Sequence, residues 1–283
     1  MSKQPYSIRP ATRAEVDQMV SWAASEGWNP GLFDADCFYA AAPNGFWLGL
    51  WHDEPIASLS AVKYGKDFAF VGFYIVKPDY RGQGFGLQLW HTVLATVSDR
   101  NVALDGVIAQ QENYQQSGFR IAHRNIRYAG VGGGEVPQHP GLVPLANIPF
   151  KQVAAYDAAF FPGDRAHFIQ HWIRQPQSTA LGILEADQLV GYGMVRVSQT
   201  GYRIGPLFAD SERLAETLFL ALKSQTQADA PIYLDVPEAN PAAMRLAERH
   251  SMTPVFEAAR MYTRAIPALP FHRWFGVTTL EVG

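Results

Sequence analysis

Three glycines and an arginine stand where a predicted strand passes into a predicted helix. The segment reads Ile75-Val76-Lys77-Pro78-Asp79-Tyr80-Arg81-Gly82-Gln83-Gly84-Phe85-Gly86. The glycines leave backbone N–H groups uncovered at a helix N-terminus, where the helix dipole favours an anion. Arg81 can add a charge-assisted hydrogen bond to a phosphate oxygen. The pattern therefore predicts a cradle for a diphosphate.

Two common phosphate-binding motifs do not fit this segment. The P-loop of nucleotide triphosphatases requires G-x-x-x-x-G-K-[ST], and no Lys-Ser or Lys-Thr follows here. The dinucleotide fingerprint spaces its glycines as G-x-G-x-x-G and opens a strand-helix-strand unit, whereas this chain reads G-x-G-x-G after antiparallel-looking strands. A glycine turn of purely structural importance is the alternative, and Arg81 favours the cradle over it.

The elements around the cradle are predicted to be mixed α and β. Apolar Leu87, Trp90, Leu94 and Val97 share one face of the helix that follows the glycines. The predicted strands are 6–10, 46–51, 55–64, 68–76 and 102–107, and a strand pair covers 119–123 and 125–128. The predicted helices follow Thr12, cover 34–41 and cover 110–117.

Composition narrows the class of protein. Of 283 residues, 48% are hydrophobic and 17% charged, so a sizeable core can form. A net charge of −3 argues against a nucleic-acid partner, and no apolar run is long enough to predict a membrane span. Cys37 is the single cysteine, and His167 with His171 lacks a third ligand, so we expect no disulfide and no metal. Residues 1–5 lack the apolar stretch of a secretion signal, which favours the cytoplasm.

The second half of the chain repeats the first in degraded form. Leu104-Asp105 returns as Leu234-Asp235, and three further echoes keep the offset between 130 and 134. A Gly- and Pro-rich stretch separates the copies, so we predict domains at 1–130 and 149–283 with a linker at 131–148. At the cradle position the second copy has Asp210 and Glu212, which would repel phosphate.

With these motifs in place, the first half resembles the GNAT superfamily of N-acetyltransferases. The family motif [QR]-x-x-G-x-[GA] is matched by Arg81, Gly84 and Gly86, and its Tyr-x-x-x-Gly-Phe by the segment from Tyr114 to Phe119. The degenerate second copy and the ending Phe275-Gly276-Val277-Thr278-Thr279-Leu280-Glu281 resemble the two-domain bacterial type related to YitH. The resemblance implies an α/β fold with a mixed sheet, a GNAT fold in tandem, whose second copy has lost its cofactor site.

The resemblance also implies a cofactor and a mechanism. Acetyl-CoA would be the co-substrate, and an acceptor amine would attack its thioester directly in a ternary complex. Tyr114 would protonate the departing thiolate, a role that suits a phenol beside a thiol of pKa about 8.5. The implied cofactor-binding residues are Tyr74, Ile75, Val76, Arg81, Gly82, Gln83, Gly84, Phe85, Gly86 and Asn113.

The sequence leaves the general base open. No glutamate lies on the strand 68–76, where some family members have one. Asp105 and Glu26 are the two candidates, with a water chain as the third possibility. The repetition of Asp105 as Asp235, in the copy without a cradle, favours a structural role for Asp105. Trp28 and Asn29 follow Glu26 in the loop that edges the acceptor cleft in this fold, so we expect them to contact substrate.

These observations predict an acyltransferase that moves an acetyl group to a primary amine of a small molecule or a peptide. The alternative is a non-catalytic module that binds acyl-CoA or a small molecule and serves regulation. A third possibility is protein interaction through the second domain. The acceptor and the oligomeric state do not follow from the sequence.

Overall fold

The computed structural model describes residues 6–283, so the interpretation of residues 1–5 lies outside the described residues. Within this range a continuous mixed sheet carries helices on both faces. The strands are β1 Tyr6–Pro10, β2 Phe46–Trp51, β3 Glu54–Tyr64, β4 Phe68–Val76, β5 Asn101–Val107, β6 Arg120–Val131, β7 Leu142–Pro144, β8 Ser178–Glu185, β9 Gln188–Val197, β10 Tyr202–Ala209, β11 Pro231–Pro237, β12 Thr253–Tyr262 and β13 Trp274–Gly276. The helices are α1 Arg13–Ser25, α2 Asp34–Ala41, α3 Phe85–Ala95, α4 Gln111–Gln116, α5 Phe150–Asp157, α6 Ala166–Trp172, α7 Glu212–Lys223 and α8 Pro241–Arg249.

The two halves share one order of elements, as the repeat predicts. In the first half, β2 and β3 form a hairpin whose turn residues His52 and Asp53 have φ of 49° and 66°. In the second half, Ala186 and Asp187 connect β8 and β9 with φ of 47° and 62°. Two consecutive left-handed residues are what a tight two-residue hairpin turn requires. The tandem fold with a mixed sheet is thus confirmed.

The halves exchange their last strands. The strand order is β1-β2-β3-β4-β5-β12-β6-β11-β10-β9-β8-β7. Strand β12 of the second half therefore pairs with β5, and β6 of the first half pairs with β11. The strand pair predicted over 119–128 is wrong, because β6 is one long strand that crosses into the other half. The exchange joins the two repeats into one sheet.

Helix α3 packs over one face of the first half. Its Leu89, Trp90 and Val93 are buried against the sheet. Leu87, which the periodicity placed on the buried face, is instead 58% exposed, and it lines the cleft beside the cradle. Trp90 and Val97 are buried as predicted and Leu94 packs against the core, so Leu87 alone departs from the predicted face and leaves an apolar side chain beside the cradle.

Candidate active site

Strands β4 and β5 separate halfway along their length, and this opening defines the site. Their parallel pairing covers only Phe68–Val71 and Asn101–Leu104. Beyond it, β4 bulges at Phe73, whose φ is 51°. The Lys77 N–H donates to the Ile56 carbonyl of β3 at 2.9 Å. Because the N–H groups of successive strand residues point to opposite sides, the N–H of Val76 points into the gap between β4 and β5. The edge of β4 can therefore pair with an extended ligand.

The cradle itself lies at the end of this opening. Gly82 and Gly84 have φ of 75° and 86°, a conformation that favours glycine, while a Cβ at Gly86 would lie 2.8 Å from Val76 Cγ2. Helix α3 begins at Phe85 with no side-chain cap, which leaves its first N–H groups available to an anion. A cleft of about 540 Å³ adjoins it, and seven of the expected cofactor-binding residues line this cleft: Tyr74, Ile75, Val76, Arg81, Gly82, Gly84 and Gly86.

The other three expected cofactor residues lie elsewhere. The Gln83 side chain donates to the Asp79 carbonyl at 2.9 Å. Phe85 packs against Tyr6, with ring centroids 4.8 Å apart, and does not line the cleft. Asn113 lines a neighbouring cleft of about 400 Å³ together with Tyr114. Gln83 and Phe85 therefore shape the loop through their own packing.

Arg81 already has an anionic partner. Its Nη2 donates to Glu26 Oε1, and its Nε donates to the Val76 carbonyl at 2.8 Å. The Glu26 carboxylate thus lies in the cradle cleft, where a phosphate oxygen would compete with it. This position differs from the acceptor-side base that the sequence suggested for Glu26.

A small, partly enclosed cavity of about 60 Å³ continues from the cleft into the space between β4 and β5. Tyr74 and Gln110 line the cavity and both clefts, so the three spaces adjoin. The cavity walls are mostly aromatic and aliphatic. Its lining includes Trp28, Phe73, Trp90, Leu104, Asp105, Tyr114, Arg127, Phe256, Leu280 and Glu281.

Tyr114 sits between the cavity and the second cleft. Its ring packs against Trp90 with centroids 5.3 Å apart, and Gly106 leaves room for it, because a Cβ there would lie 2.8 Å from Tyr114 Cδ2. Burial raises the pKa of the Tyr114 phenol above its ordinary value near 10. A phenol with a raised pKa stays protonated at neutral pH and can act as a proton donor.

Asp105 is buried in an ion pair. Its two carboxylate oxygens accept from Arg260 Nε and Nη2, each at 2.8 Å, and Oδ1 also accepts from Asn125 at 2.9 Å. Burial raises the pKa of Asp105, and the Arg260 guanidinium opposes that rise. Both oxygens are occupied, so the geometry supports the structural role of Asp105 rather than that of a base.

The two predicted substrate residues separate. Trp28 lines the cavity and the cradle cleft, and its carbonyl accepts from Arg127 Nη1 at 2.6 Å. The Asn29 side chain instead bonds to the β9–β10 turn, accepting from Thr200 N–H at 2.8 Å and donating to Ser198 Oγ at 3.2 Å. Asn29 therefore joins the halves and does not line the cavity.

Sequence reasoning missed several cavity residues. Arg127, Phe256 and Glu281 come from β6, β12 and the C-terminal segment, far along the chain from the cradle. Gln110 was assigned only to a helix. The recurrence of Arg127 as Arg260 was a sequence signal that could have pointed to the paired arginines.

The second half has no equivalent opening. Strand β13 lies against β10 there, with Leu207 opposite Gly276 and Phe208 opposite Trp274. Helix α7 is capped by Ser211, whose Oγ accepts from Leu214 N–H at 3.3 Å. A strand and a cap thus occupy the positions that are open in the first half, which gives the physical reason for the degeneracy of the second copy.

Comparison with known proteins agrees with this architecture. A profile described as acetyltransferase (GNAT) family matches residues 13–119, and one described as acetyltransferase (GNAT) domain matches 153–276. The holothin acyltransferase of Pseudoalteromonas sp. (strain SANK 73390) is 29% identical over 280 residues, which cover 99% of this chain and 95% of that protein. The N-acetyltransferase YitH of Bacillus subtilis, itself uncharacterized, is 25% identical over 59% of this chain and 60% of its own.

Solved structures share the tandem arrangement. A candidate acetyltransferase from Pyrococcus horikoshii superposes with a TM-score of 0.84 at 23% identity, covering 100% of this chain and 98% of its own. A tandem GNAT protein from the clavulanic acid biosynthesis pathway gives a TM-score of 0.62 at 13% identity, covering 93% and 99%. These likenesses show the fold, and the profiles match in both halves. The chain belongs to the GNAT acetyltransferases, as an acyltransferase with two GNAT domains.

Proposed function

We propose that this protein transfers an acetyl group from acetyl-CoA to a primary amine, which attacks the thioester directly in a ternary complex. The observation that carries the proposal is the continuity of three features. An uncapped α3 N-terminus with Arg81 lies at one end, and the unpaired edge of β4 follows it. The small cavity that Tyr114 lines lies at the other end.

The cradle fits the diphosphate of the cofactor. Gly82 and Gly84 supply backbone without side chains. Arg81 supplies a positive charge for the diphosphate once its ion pair with Glu26 is broken. The extended arm of the cofactor would pair with the edge of β4 near Tyr74 and Val76. Its thioester would then reach the cavity, where Tyr114 can donate a proton to the departing sulfur.

Domain roles follow from the same comparison of the two halves. We assign residues 1–130 to the acetyl-CoA-binding unit, 131–148 to the linker and 149–283 to the degenerate copy. The second copy contributes to the cavity through Phe256 and Glu281, so it completes the acceptor site rather than binding a second cofactor.

The small, mostly apolar cavity favours a compact acceptor. A cavity of about 60 Å³ bounded by Trp28 and Phe73 suits the end of a small molecule better than a peptide backbone with its polar groups. The most extensively aligned relative described above is named as a holothin acyltransferase, so holothin is the first acceptor to test. The acyltransferase relatives do not favour the non-catalytic alternative.

The test is turnover of acetyl-CoA with a panel that contains holothin, other small amines and peptide N-termini, followed by free thiol release and product mass. We expect acetylated product from at least one small amine. Gly84→Asp places a carboxylate in the cradle and should abolish both acetyl-CoA binding and turnover. Acetyl-CoA binding with no product from any amine would contradict the proposal and support a binding module.

No helix within residues 6–283 combines the length and the apolar character needed to cross a lipid bilayer.

A further inference from the structure

The C-terminal segment, residues 277–283, leaves the second half and ends inside the first. It begins beside β11, where the Val277 N–H donates to the Asp235 carbonyl at 2.8 Å. At its end the Tyr64 hydroxyl donates to the Val282 carbonyl at 2.8 Å, which joins it to β3. Hydrogen bonds at both ends therefore fix the course of this segment.

Between these anchors the segment crosses β4 at the opening. A Cβ at Gly72 would overlap the carbonyl of Glu281, so the two backbones touch directly at the bulge. Glu281 is buried, and it lines the same cavity as Tyr114. The C-terminal segment thus delivers a carboxylate to the part of β4 that carries none of its own.

The contacts of Glu281 differ from those of the other buried carboxylates. Each of the others receives two hydrogen bonds from one arginine, at distances between 2.7 and 3.2 Å: Asp34 from Arg196, Asp105 from Arg260, Asp157 from Arg165 and Asp235 from Arg127.

Glu281 lacks such a two-pronged partner in residues 6–283. Its Oε1 accepts a 3.3 Å hydrogen bond from Arg203 Nη1 in a buried ion pair, while Arg203 Nη2 donates to Asp235 at 2.6 Å. Its Oε2 accepts from the Thr279 hydroxyl. Asp105 and Glu281 both line the cavity. Asp105 accepts two hydrogen bonds of 2.8 Å from Arg260, whereas Glu281 accepts one hydrogen bond from Arg203 and one from Thr279.

We propose that Glu281 is the proton acceptor of the transfer reaction, an inference that rests on the proposed function. The amine nitrogen forms a bond to the thioester carbonyl carbon and gives a proton to the Glu281 carboxylate. The carbon–sulfur bond then breaks, and the sulfur takes the electron pair and a proton from Tyr114. Amide and free thiol are the products, and the two side chains are restored by one net proton transfer from Glu281 to Tyr114.

The placement suits that chemistry. The cavity is small and mostly apolar, and the Glu281 side chain on its wall is buried, which limits competition from bulk water for the amine proton. Glu281 and Tyr114 lie on the wall of one small cavity, so a reacting centre between them could exchange protons with both.

The test compares Glu281→Gln with wild type in kcat/KM from pH 5 to 10 on a verified acceptor, alongside acetyl-CoA affinity. We expect a loss of about 10²–10⁴-fold, disappearance of the low-pH limb and an acetyl-CoA Kd within about twofold of wild type. Glu257→Gln is the matched control, because Glu257 is a partly exposed carboxylate on β12 that does not line the cavity. It should keep the wild-type profile.

A second variant covers the case in which Glu281→Gln does not fold. Glu281→Asp keeps the carboxylate but withdraws it by one methylene, so it should retain the low-pH limb with kcat lowered about tenfold or more. A folded Gln or Asp variant with wild-type kcat and pH profile would overturn the assignment while leaving the amine transfer intact. Absence of turnover in the wild type would overturn the proposed function, and with it this role of Glu281.

Discussion

Asp105 on β5 and Arg260 on β12 join the two halves of the chain through paired hydrogen bonds of 2.8 Å each. The repeat forms the same pair in the opposite direction, since Arg127 on β6 holds Asp235 on β11 at 2.7 and 3.1 Å. Each half thus supplies the aspartate that binds the exchanged strand of the other. The two equivalent aspartate–arginine pairs of the repeat therefore bind the exchanged strands to their new neighbours.

Breaking this pair should destabilise the protein strongly. Asp105→Asn leaves the Arg260 guanidinium buried without a counter-charge, and such losses typically cost about 3–5 kcal/mol. Urea unfolding should show this as a lower midpoint. Replacing both partners, Asp105→Asn with Arg260→Met, should recover part of the loss because no unpaired charge remains. Asp99→Asn, which removes a largely exposed carboxylate beside Arg100, is the control. A cost below about 1 kcal/mol for Asp105→Asn would contradict the expectation.

His123 should make stability depend on pH. Burial, with a contribution from Arg260, lowers the pKa of His123 to about 3 from an ordinary 6.5. As the pH falls below 6.5, His123 is protonated in the unfolded chain but stays neutral in the folded one. The free energy of unfolding therefore drops by up to about 1.4 kcal/mol per pH unit, down to about pH 3.

Replacement of that histidine isolates its share of the effect. His123→Leu should flatten the dependence of unfolding free energy on pH between 6.5 and about 4.5, which is measured by urea unfolding at several pH values. The ring packs 4.8 Å from Phe271, so an apolar replacement keeps some of that contact. An unchanged slope in the variant would show that other groups carry the pH dependence.

Glu26 should compete with acetyl-CoA for Arg81. Glu26→Gln removes the carboxylate, and because the pair is partly exposed the gain in affinity should be at most about fivefold. Arg81→Ala should weaken binding by about 1–3 kcal/mol through loss of a charge-assisted hydrogen bond. Titration calorimetry measures both, and it should find one site per chain.

Glu54→Gln is the matched control for that competition. Glu54 pairs with Lys77 at 2.8 Å on the strand beside the cradle but does not line the cleft. Its loss should leave acetyl-CoA affinity unchanged. A Glu26→Gln variant that binds acetyl-CoA more weakly than wild type would mean that the carboxylate supports the cradle instead of competing for it.

Tyr114→Phe should keep the fold and acetyl-CoA affinity, since the ring retains its packing on Trp90. Both kcat and kcat/KM should fall by about 10²–10⁴-fold if the hydroxyl acts only as the thiolate forms. Burial raises the pKa of Tyr114, so the acid stays protonated as the pH rises, and no descending limb due to it is expected below about pH 10. Turnover within about twofold of wild type would remove Tyr114 from the acid role.

The sequence alone predicted the cradle and the tyrosine because each depends on local spacing, and it predicted the repeat because similar segments recur at a nearly fixed offset. The cradle needs only glycines that can adopt positive φ and an arginine next to them, and the tyrosine motif spans only Tyr114 to Phe119. The hairpin at His52 and Asp53 was likewise predictable, since alternation and a tight turn specify it. These features require no knowledge of which distant segments meet.

Only the tertiary structure decided the strand exchange. The final strands β6 and β12 are equivalent copies, and each carries an arginine that pairs with the aspartate of the other half, so the local alternation of either strand does not specify which half it joins. The periodicity of α3 also misplaced Leu87, because the direction from which the sheet covers the helix is not encoded in apolar spacing alone.

The composition of the cavity was decided in the same way. Glu281 reaches β4 because the C-terminal segment crosses Gly72, and Glu26 reaches Arg81 because α1 ends beside the cradle. Contacts between residues so far apart in the chain depend on how whole strands and helices pack, and no short-range pattern records them. The sequence therefore determined the glycine cradle and its arginine, whereas long-range packing determined the lining of the cavity.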